Sequence, residues 1–345
     1  MAKSLDGVLT KKAHTKQQWT EEQIQDLLAC MDEQDGYLYF ARKFFHIQHP
    51  VKGKLLFEPF QYQIGLLNSY HNNRFNINML PRQSGKTTCA SAYLLWYAMF
   101  IPDQTILVAA HKYTGAQEIM QRIRYGYELC PDFLRAGVVS YNKGSIEFEN
   151  GSRIISQTTT GTTGRGLSIS LLYADEFAFV QPNIANEFWT SISPTLATGG
   201  RAIITSTPNS DEDQFAIIWK ESKDTFDEYG NENPTGIGRN GFYGYKSEWW
   251  DHPDRDENWK KEELGRIGEE RFRREYNCEF LVYDETLISS LKLTDMVGRE
   301  PIMKMGQVRW FKTPTPGHLY LAALDPSLGT GGDYGGIQVF ELPSF

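Results

Sequence analysis

From Phe75 onward, short apolar runs alternate with longer stretches of helical spacing. The runs are "FNINML" (75–80), "TILVAAH" (105–111), "SLLYADEF" (170–177) and "RAIITST" (201–207), with helices expected after the first and from about Ala116. Continuous apolar runs of this length mark strands buried on both faces, and helices between them make parallel crossovers. The expected fold class is therefore α/β, a mainly parallel sheet flanked by helices. One antiparallel interruption is expected where "SIEFENGSRIISQ" sets Asn150-Gly151 between two alternating runs, a signal for a hairpin turn of the primed type. Upstream, "TEEQIQDLLACMDEQDGYLYFARKFF" predicts two helices with Thr20 as a cap, residues 46–58 an extended connection, and "YQIGLLNSYHNN" a helix up to Asn72. Downstream, a loop rich in glycine and asparagine (229–240) precedes a helical, aromatic segment ending near Tyr283.

Composition narrows the function classes. The 345 residues are 40% hydrophobic and 23% charged, room for one large domain or two smaller ones. A net charge of −8 argues against coating nucleic acid through bulk electrostatics. In the densest basic cluster, Arg266, Arg271, Arg273 and Arg274, the interleaved Glu269, Glu270 and Glu275 favour a salt-bridged helix face. Cys30, Cys89, Cys130 and Cys278 form no Cys-x-x-Cys pair, which predicts reduced thiols and no structural zinc. The longest apolar stretch, "ASAYLLWYAMFIP", is too short to span a bilayer, so no membrane partner is expected.

Chemistry enters at "NMLPRQSGKTT" (78–88). Gly-Lys-Thr follows an apolar strand and opens a helix, the context in which backbone N–H groups and a helix N-terminus cradle phosphate. Lys86 is then expected at the β and γ phosphates of ATP and Thr87 on magnesium. Leu80 stands where such loops usually have their first glycine, and Arg82 lies inside the loop. "SLLYADEF" delivers Asp175 and Glu176 to the carboxyl edge of the sheet, Asp175 to hold Mg2+ either directly or through one of the ion's own ligands and Glu176 as the general base for water. "IITSTPN" ends a further strand in Thr205, Ser206, Thr207 and Asn209, groups suited to sensing a γ phosphate.

These three motifs in this order resemble the large terminase subunit of T4-like tailed bacteriophages. The resemblance rests on "RQSGKTT", "YADEFAF" and "TSTPN", with further similarity in "LVAAHK", "LCPDFL", "YNKGSIEFENGS" and "TLIS", and runs from about Glu58 to Asp333. It implies a P-loop NTPase core of the RecA-like ASCE kind, with an ATP site formed by Tyr62, Gln63, Arg82, Gln83, Ser84, Gly85, Lys86, Thr87 and Thr88. Tyr62-Gln63 matches the family's adenine-side pair, and Arg82 its loop arginine, an arginine supplied in cis to the γ phosphate. Arg165, between two glycines in "TTGRGLS", is a second candidate, able to reach a neighbouring subunit's nucleotide. Thr205 to Asn209 match the family's coupling motif.

The implied function is an ATPase motor driving double-stranded viral DNA into a prohead. The implied partners are the portal protein, the small terminase subunit and further copies of the chain in a ring. The implied location is the host cytoplasm, transiently at the portal and not in the virion. "YLAALDPSLGTGGDYGGIQVFE" is similar to the opening of the family's RNase H-like nuclease domain, with Asp325 and Asp333 as metal ligands. Further carboxylates are needed for two-metal chemistry. A divalent nuclease metal is therefore expected only in a complete domain, and no nuclease activity is expected here. The implied organisation is an N-terminal helical region packing with the lid (1–57), the ATPase core (58–228), a lid (229–290), a linker (291–318) and the start of the nuclease domain (319–345). Two other readings compete: a helicase-like DNA-dependent ATPase, and a portal adaptor that binds nucleotide without turnover. After Asn209 the chain is too short and unlike for a second motor domain, and an adaptor has no need of Glu176.

Overall fold

A computed structural model describes residues 9–226, 232–280, 298–305, 308–326 and 335–342. The chain divides into two compact units, 1–290 and 291–345.

In the first unit, Thr20 caps helix α1 (Glu21–Met31) through a capping box with Gln23, and α2 (Gly36–Lys43) follows. Residues 46–58 form a small hairpin, β1 (His46–His49) with β2 (Gly53–Leu56). Helix α3 (Gln61–Asn72) ends where the periodicity predicts. The alternation that follows gives β3 (Phe75–Met79), α4 (Lys86–Phe100), β4 (Thr105–Ala110) and α5 (Tyr113–Leu129). It continues with β5 (Val138–Tyr141), β6 (Ser145–Phe148), β7 (Arg153–Thr158) and β8 (Leu171–Asp175). Next come α6 (Pro182–Leu196), β9 (Arg201–Ser206), α7 (Gln214–Lys223), β10 (Tyr243–Lys246), α8 (Glu257–Ile267) and α9 (Glu269–Glu275).

Eight strands make one sheet in the order β10-β3-β9-β8-β4-β7-β6-β5, parallel from β10 to β7 and antiparallel from β7 to β5. Side chains alternate between its faces. Ile106, Val108, Leu171 and Tyr173 join one core with α2, α3, α4 and α5, whereas Leu107, Ala109, Leu172 and Ala174 join another with α6 and α7. Both faces are covered, which explains why the strands read as unbroken apolar runs. Almost every residue of α4 is buried, so its apolar stretch is a core helix.

Three expectations are corrected. The β6–β7 hairpin is not a primed turn: only Gly151 has positive φ (+83°), its N–H bonds to the Phe148 carbonyl, and Phe148 N–H bonds to the Ser152 carbonyl. Asn150 is held instead by donating its side-chain amide to the carbonyls of Ala98 and Met99. Among the described residues the N-terminal helices pack on α4 and not on the lid helices α8 and α9, because Tyr37, Phe40 and Ala41 complete the apolar surface that α4 presents. Tyr243–Lys246, assigned to the lid, extends the sheet beside β3. The lid proper has its own small core of Trp249, Phe272 and Tyr276.

In the second unit, β11 (Met303–Met305) pairs with β12 (Val308–Trp310), a hairpin inside the expected linker. β13 (Tyr320–Asp325) pairs with β14 (Gly336–Glu341), both antiparallel and largely exposed. Asp333 lies outside the described residues.

Candidate phosphate-binding and hydrolysis site

The loop between β3 and α4 is held from its outer side. The Ser84 carbonyl accepts from the Tyr62 hydroxyl (2.7 Å) and from Gln63 Nε2 (2.9 Å). The carbonyls of Arg82 and Gln83 accept from Arg255 Nη2 at 2.9 and 3.1 Å. Arg82 N–H donates to the Glu275 carbonyl at 2.8 Å. Among the described residues, none accepts from the N–H groups of Gln83, Ser84 or Gly85. Donors so placed beside the N-terminus of α4 are suited to holding an anion. Gly85 caps α4 at φ +78°, and a Cβ there would meet Gln63 Nε2 at 2.5 Å. Leu80, in place of the usual first glycine, is fully buried in the core beneath the loop, so its side chain leaves the cradle clear.

Strand β8 brings the acids. All five of its residues are buried, and Asp175 accepts from the Tyr173 hydroxyl at 2.8 Å. Burial, with the Glu176 charge adding to it, pushes the Asp175 carboxyl up to about 6, against the pull of Lys86. Glu176 sits at φ +50°, ψ +46°, a backbone region that a non-glycine residue occupies at a cost of about 1–3 kcal/mol. The turn ends the strand and sets Glu176 Oε1 2.8 Å from Lys86 Nζ. Its other oxygen accepts from the Ser206 hydroxyl at 3.3 Å and, at the limit of a hydrogen bond, from Thr207 N–H at 3.5 Å.

Strand β9 lies between the loop strand and the acid strand, with Thr205 in register with Asn78 on one side and Asp175 on the other. The Ser206 carbonyl accepts from Leu80 N–H at 3.4 Å, and its hydroxyl accepts from Ala178 N–H at 3.3 Å. Asn209 donates to the Ala178 carbonyl at 3.2 Å. β9 and the residues after it thus touch both the loop and the acid turn. The donor set also fits a magnesium ion: a hard cation takes oxygen ligands, and Asp175 is a buried carboxylate whose charged form a cation would restore. Thr87, half-buried one residue into α4, supplies a hydroxyl in the first turn.

The remaining site residues are placed differently. The Arg82 guanidinium is 66% exposed and 3.6 Å from Glu275 Oε2 on the lid. Gln63 is committed at both ends, to Ser84 and to Phe60 N–H at 3.0 Å, inside the α3 N-terminus. Arg165, exposed between Gly164 and Gly166, both at positive φ, donates to the Ser191 hydroxyl at 2.9 Å. Thr88 lines a small surface pocket with Phe45, Ile47 and Arg122. Sequence reasoning missed three groups. Arg255 and Glu275 come from the lid, far along the chain, and no local pattern marks them. His111 was legible as a polar residue ending a buried strand: its ring lies 6.3 Å from Phe179, and burial lowers its pKa while Glu176 opposes that.

The family described as "Terminase large subunit, T4likevirus-type, N-terminal" matches residues 77–295. The large terminase subunit of Thermus virus P23-45 is 24% identical over 307 residues, 83% of this chain and 61% of that protein. That of Thermus phage G20c is 24% identical over 308 residues, with the same shares. The chain thus spans about three fifths of the length of these relatives. Among solved structures, the Thermus phage P74-26 large terminase ATPase domain has a TM-score of 0.51 at 22% identity, covering 65% of this chain and 95% of that one. The HK97 bacteriophage large terminase has a TM-score of 0.56 at 17% identity, covering 84% and 61%. These two likenesses support the α/β fold.

Proposed function

The chain belongs to the T4likevirus-type terminase large-subunit family, and from that membership we propose that it is the ATP-hydrolysing motor of viral DNA packaging. The observation that carries the catalytic half is the Lys86–Glu176 pair at 2.8 Å, on a sheet edge where the loop donors and Asp175 converge. ATP would place its β and γ phosphates against the N–H groups of Gln83 to Gly85 and the α4 N-terminus. The γ phosphate then competes for Lys86, and Glu176 is released to take a proton from the attacking water. Water oxygen bonds to the γ phosphorus as the bond to the ADP oxygen breaks. Mg2+, held by Thr87 and Asp175, would neutralise phosphate charge.

Arg82 would leave Glu275 to meet the charge developing on the γ phosphate, an effect worth roughly 10³–10⁵ in rate where such an arginine acts. Arg165 is the candidate for the same task in a neighbouring subunit. Tyr62 and Gln63 stand for the adenine side, and Gln63 contacts the base only by giving up one of its present bonds. Thr205, Ser206, Thr207 and Asn209 would pass the state of the γ phosphate to the rest of the molecule. Double-stranded DNA, the portal, the small subunit and a ring of copies in the host cytoplasm complete the proposal.

Steady-state ATP hydrolysis by the protein, Lys86→Ala and Glu176→Gln tests the reading. Both variants should lose turnover by roughly 10²-fold or more. Equal rates in all three would sink it. Arg82→Ala should bind ATP yet turn over slowly, and normal turnover would leave Arg82 only its contact with Glu275.

A further inference from the structure

Three successive loop carbonyls, those of Arg82, Gln83 and Ser84, are each held from outside, and the three N–H groups that follow them are unengaged among the described residues. The two facts are one. In a trans peptide the carbonyl of one residue and the N–H of the next point in opposite directions. Fixing a carbonyl outward therefore fixes the next N–H inward. Core side chains, Tyr62 and Gln63, hold only the Ser84 peptide, whereas the Arg82 and Gln83 peptides are held by a lid residue. The hold is needed because Gln83 is a non-glycine residue at φ +56° and Leu80 gives the loop none of a glycine's latitude.

We infer that Arg255 is a positioning residue for the phosphate cradle, a lid arginine that aims the N–H groups of Gln83 and Ser84 at phosphate and so makes nucleotide affinity depend on how the lid is seated. Its guanidinium is built to stay in place. It lies over the rings of Trp259 (4.8 Å) and Tyr276 (5.4 Å), and Trp259 is itself stacked on Trp249 at 5.7 Å. Tyr276 is tethered by donating its hydroxyl to Glu263 at 3.0 Å. Arg255 N–H also bonds to the His252 carbonyl at 3.0 Å, closing the turn that presents the side chain. One Nη2 bridges two carbonyls, a use of a cation like that at a helix C-terminus, where carbonyl dipoles converge. Nη1 is buried and has no partner among the described residues. Glu275 takes part in the same contact, its carbonyl holding Arg82 N–H and its carboxylate facing the Arg82 guanidinium. Lid displacement would therefore free the Arg82 side chain and loosen the cradle in one movement.

The inference rests on the ATPase reading for its ligand, not for its geometry, and two measurements separate them. In the nucleotide-free protein, backbone 15N relaxation should show Gln83 and Ser84 amides as ordered, with order parameters near about 0.85, and Arg255→Ala should lower them below about 0.6. The amides of Ile146 and Ile154 should not move. ADP binding measured by calorimetry should weaken about 10- to 100-fold in Arg255→Ala, with Arg255→Lys between that variant and the parent. Wild-type loop order in Arg255→Ala would overturn the inference whatever ADP does. Loosened loop amides with undiminished ADP affinity would overturn its link to binding. A parent protein that fails to bind ADP while its loop order depends on Arg255 would overturn the ATPase reading and leave the positioning role standing. Should Arg255→Ala not fold, Arg255→Lys carries the same comparison.

Discussion

Two strands of this molecule end in almost the same way. β8 reads Leu-Leu-Tyr-Ala-Asp up to Asp175, and β13 reads Tyr-Leu-Ala-Ala-Leu-Asp up to Asp325. Every residue of the first is buried and every residue of the second is exposed. β8 pairs with β4 on one side and β9 on the other, and its faces are packed by two separate cores. β13 pairs among the described residues with β14 alone. An apolar run ending in aspartate thus specifies a strand and the place of an acid, but neighbours set the dielectric around that acid. At Asp175 they raise its pKa to about 6, with the charges of Glu176 and Lys86 acting on it, and the adjacent Glu176 meets Lys86 and Ser206. Asp325 stands exposed at the end of its strand.

The comparison breaks most visibly in turnover. Asp175→Asn should cut ATP hydrolysis roughly 10²–10⁴-fold through loss of metal and charge placement, while Asp325→Asn should leave hydrolysis unchanged. Equal losses would mean that the two acids serve one reaction. Next in size is core truncation: Leu172→Ala, at a fully buried position, should cost about 2–5 kcal/mol by urea unfolding, whereas Leu321→Ala, 50% exposed, should cost well under ~1 kcal/mol.

A third test uses pH. The folded Asp175 pKa lies above its ordinary value, so the neutral acid is the form the fold prefers. That contribution is fully present below about 3.8 and is lost as pH rises through about 6. Without nucleotide or metal, Asp175→Asn should be more stable than the parent by roughly 2–3 kcal/mol at pH 7.5, and the difference should vanish near pH 4. A constant difference across that window would refute the assigned environment. The smallest effect is expected from Tyr173→Phe. Removing the hydroxyl that donates to Asp175 at 2.8 Å should change stability by about 1 kcal/mol and move the pH transition of the third test upward.

Much of the first unit was legible. Unbroken apolar runs announced strands covered on both faces, and β3, β4, β8 and β9 appear where those runs lie. Gly-Lys-Thr after a strand and before a helix located the loop, and "YADEF" located the acid pair. The hairpin at Asn150-Gly151 was found, but its turn type was not, because Asn150 is drawn to the carbonyls of α4 instead of adopting a left-handed backbone. β10 was missed as a sheet strand. Four residues beyond a glycine-rich loop carry too little pattern to show that they return to β3.

The sequence by itself determined where the main strands and helices of the first unit lie, where a glycine must sit at Gly85, and which charged groups stand at strand ends. These follow from forces between near neighbours in the chain, namely side-chain periodicity, helix capping and backbone sterics. Only the tertiary structure decided that β9 is inserted between β3 and β8, that Lys86 meets Glu176, and that Arg255 and Glu275 hold a loop more than 170 residues away. Those contacts depend on which elements share a face and an edge, and side-chain patterns encode that a face is buried without encoding what covers it.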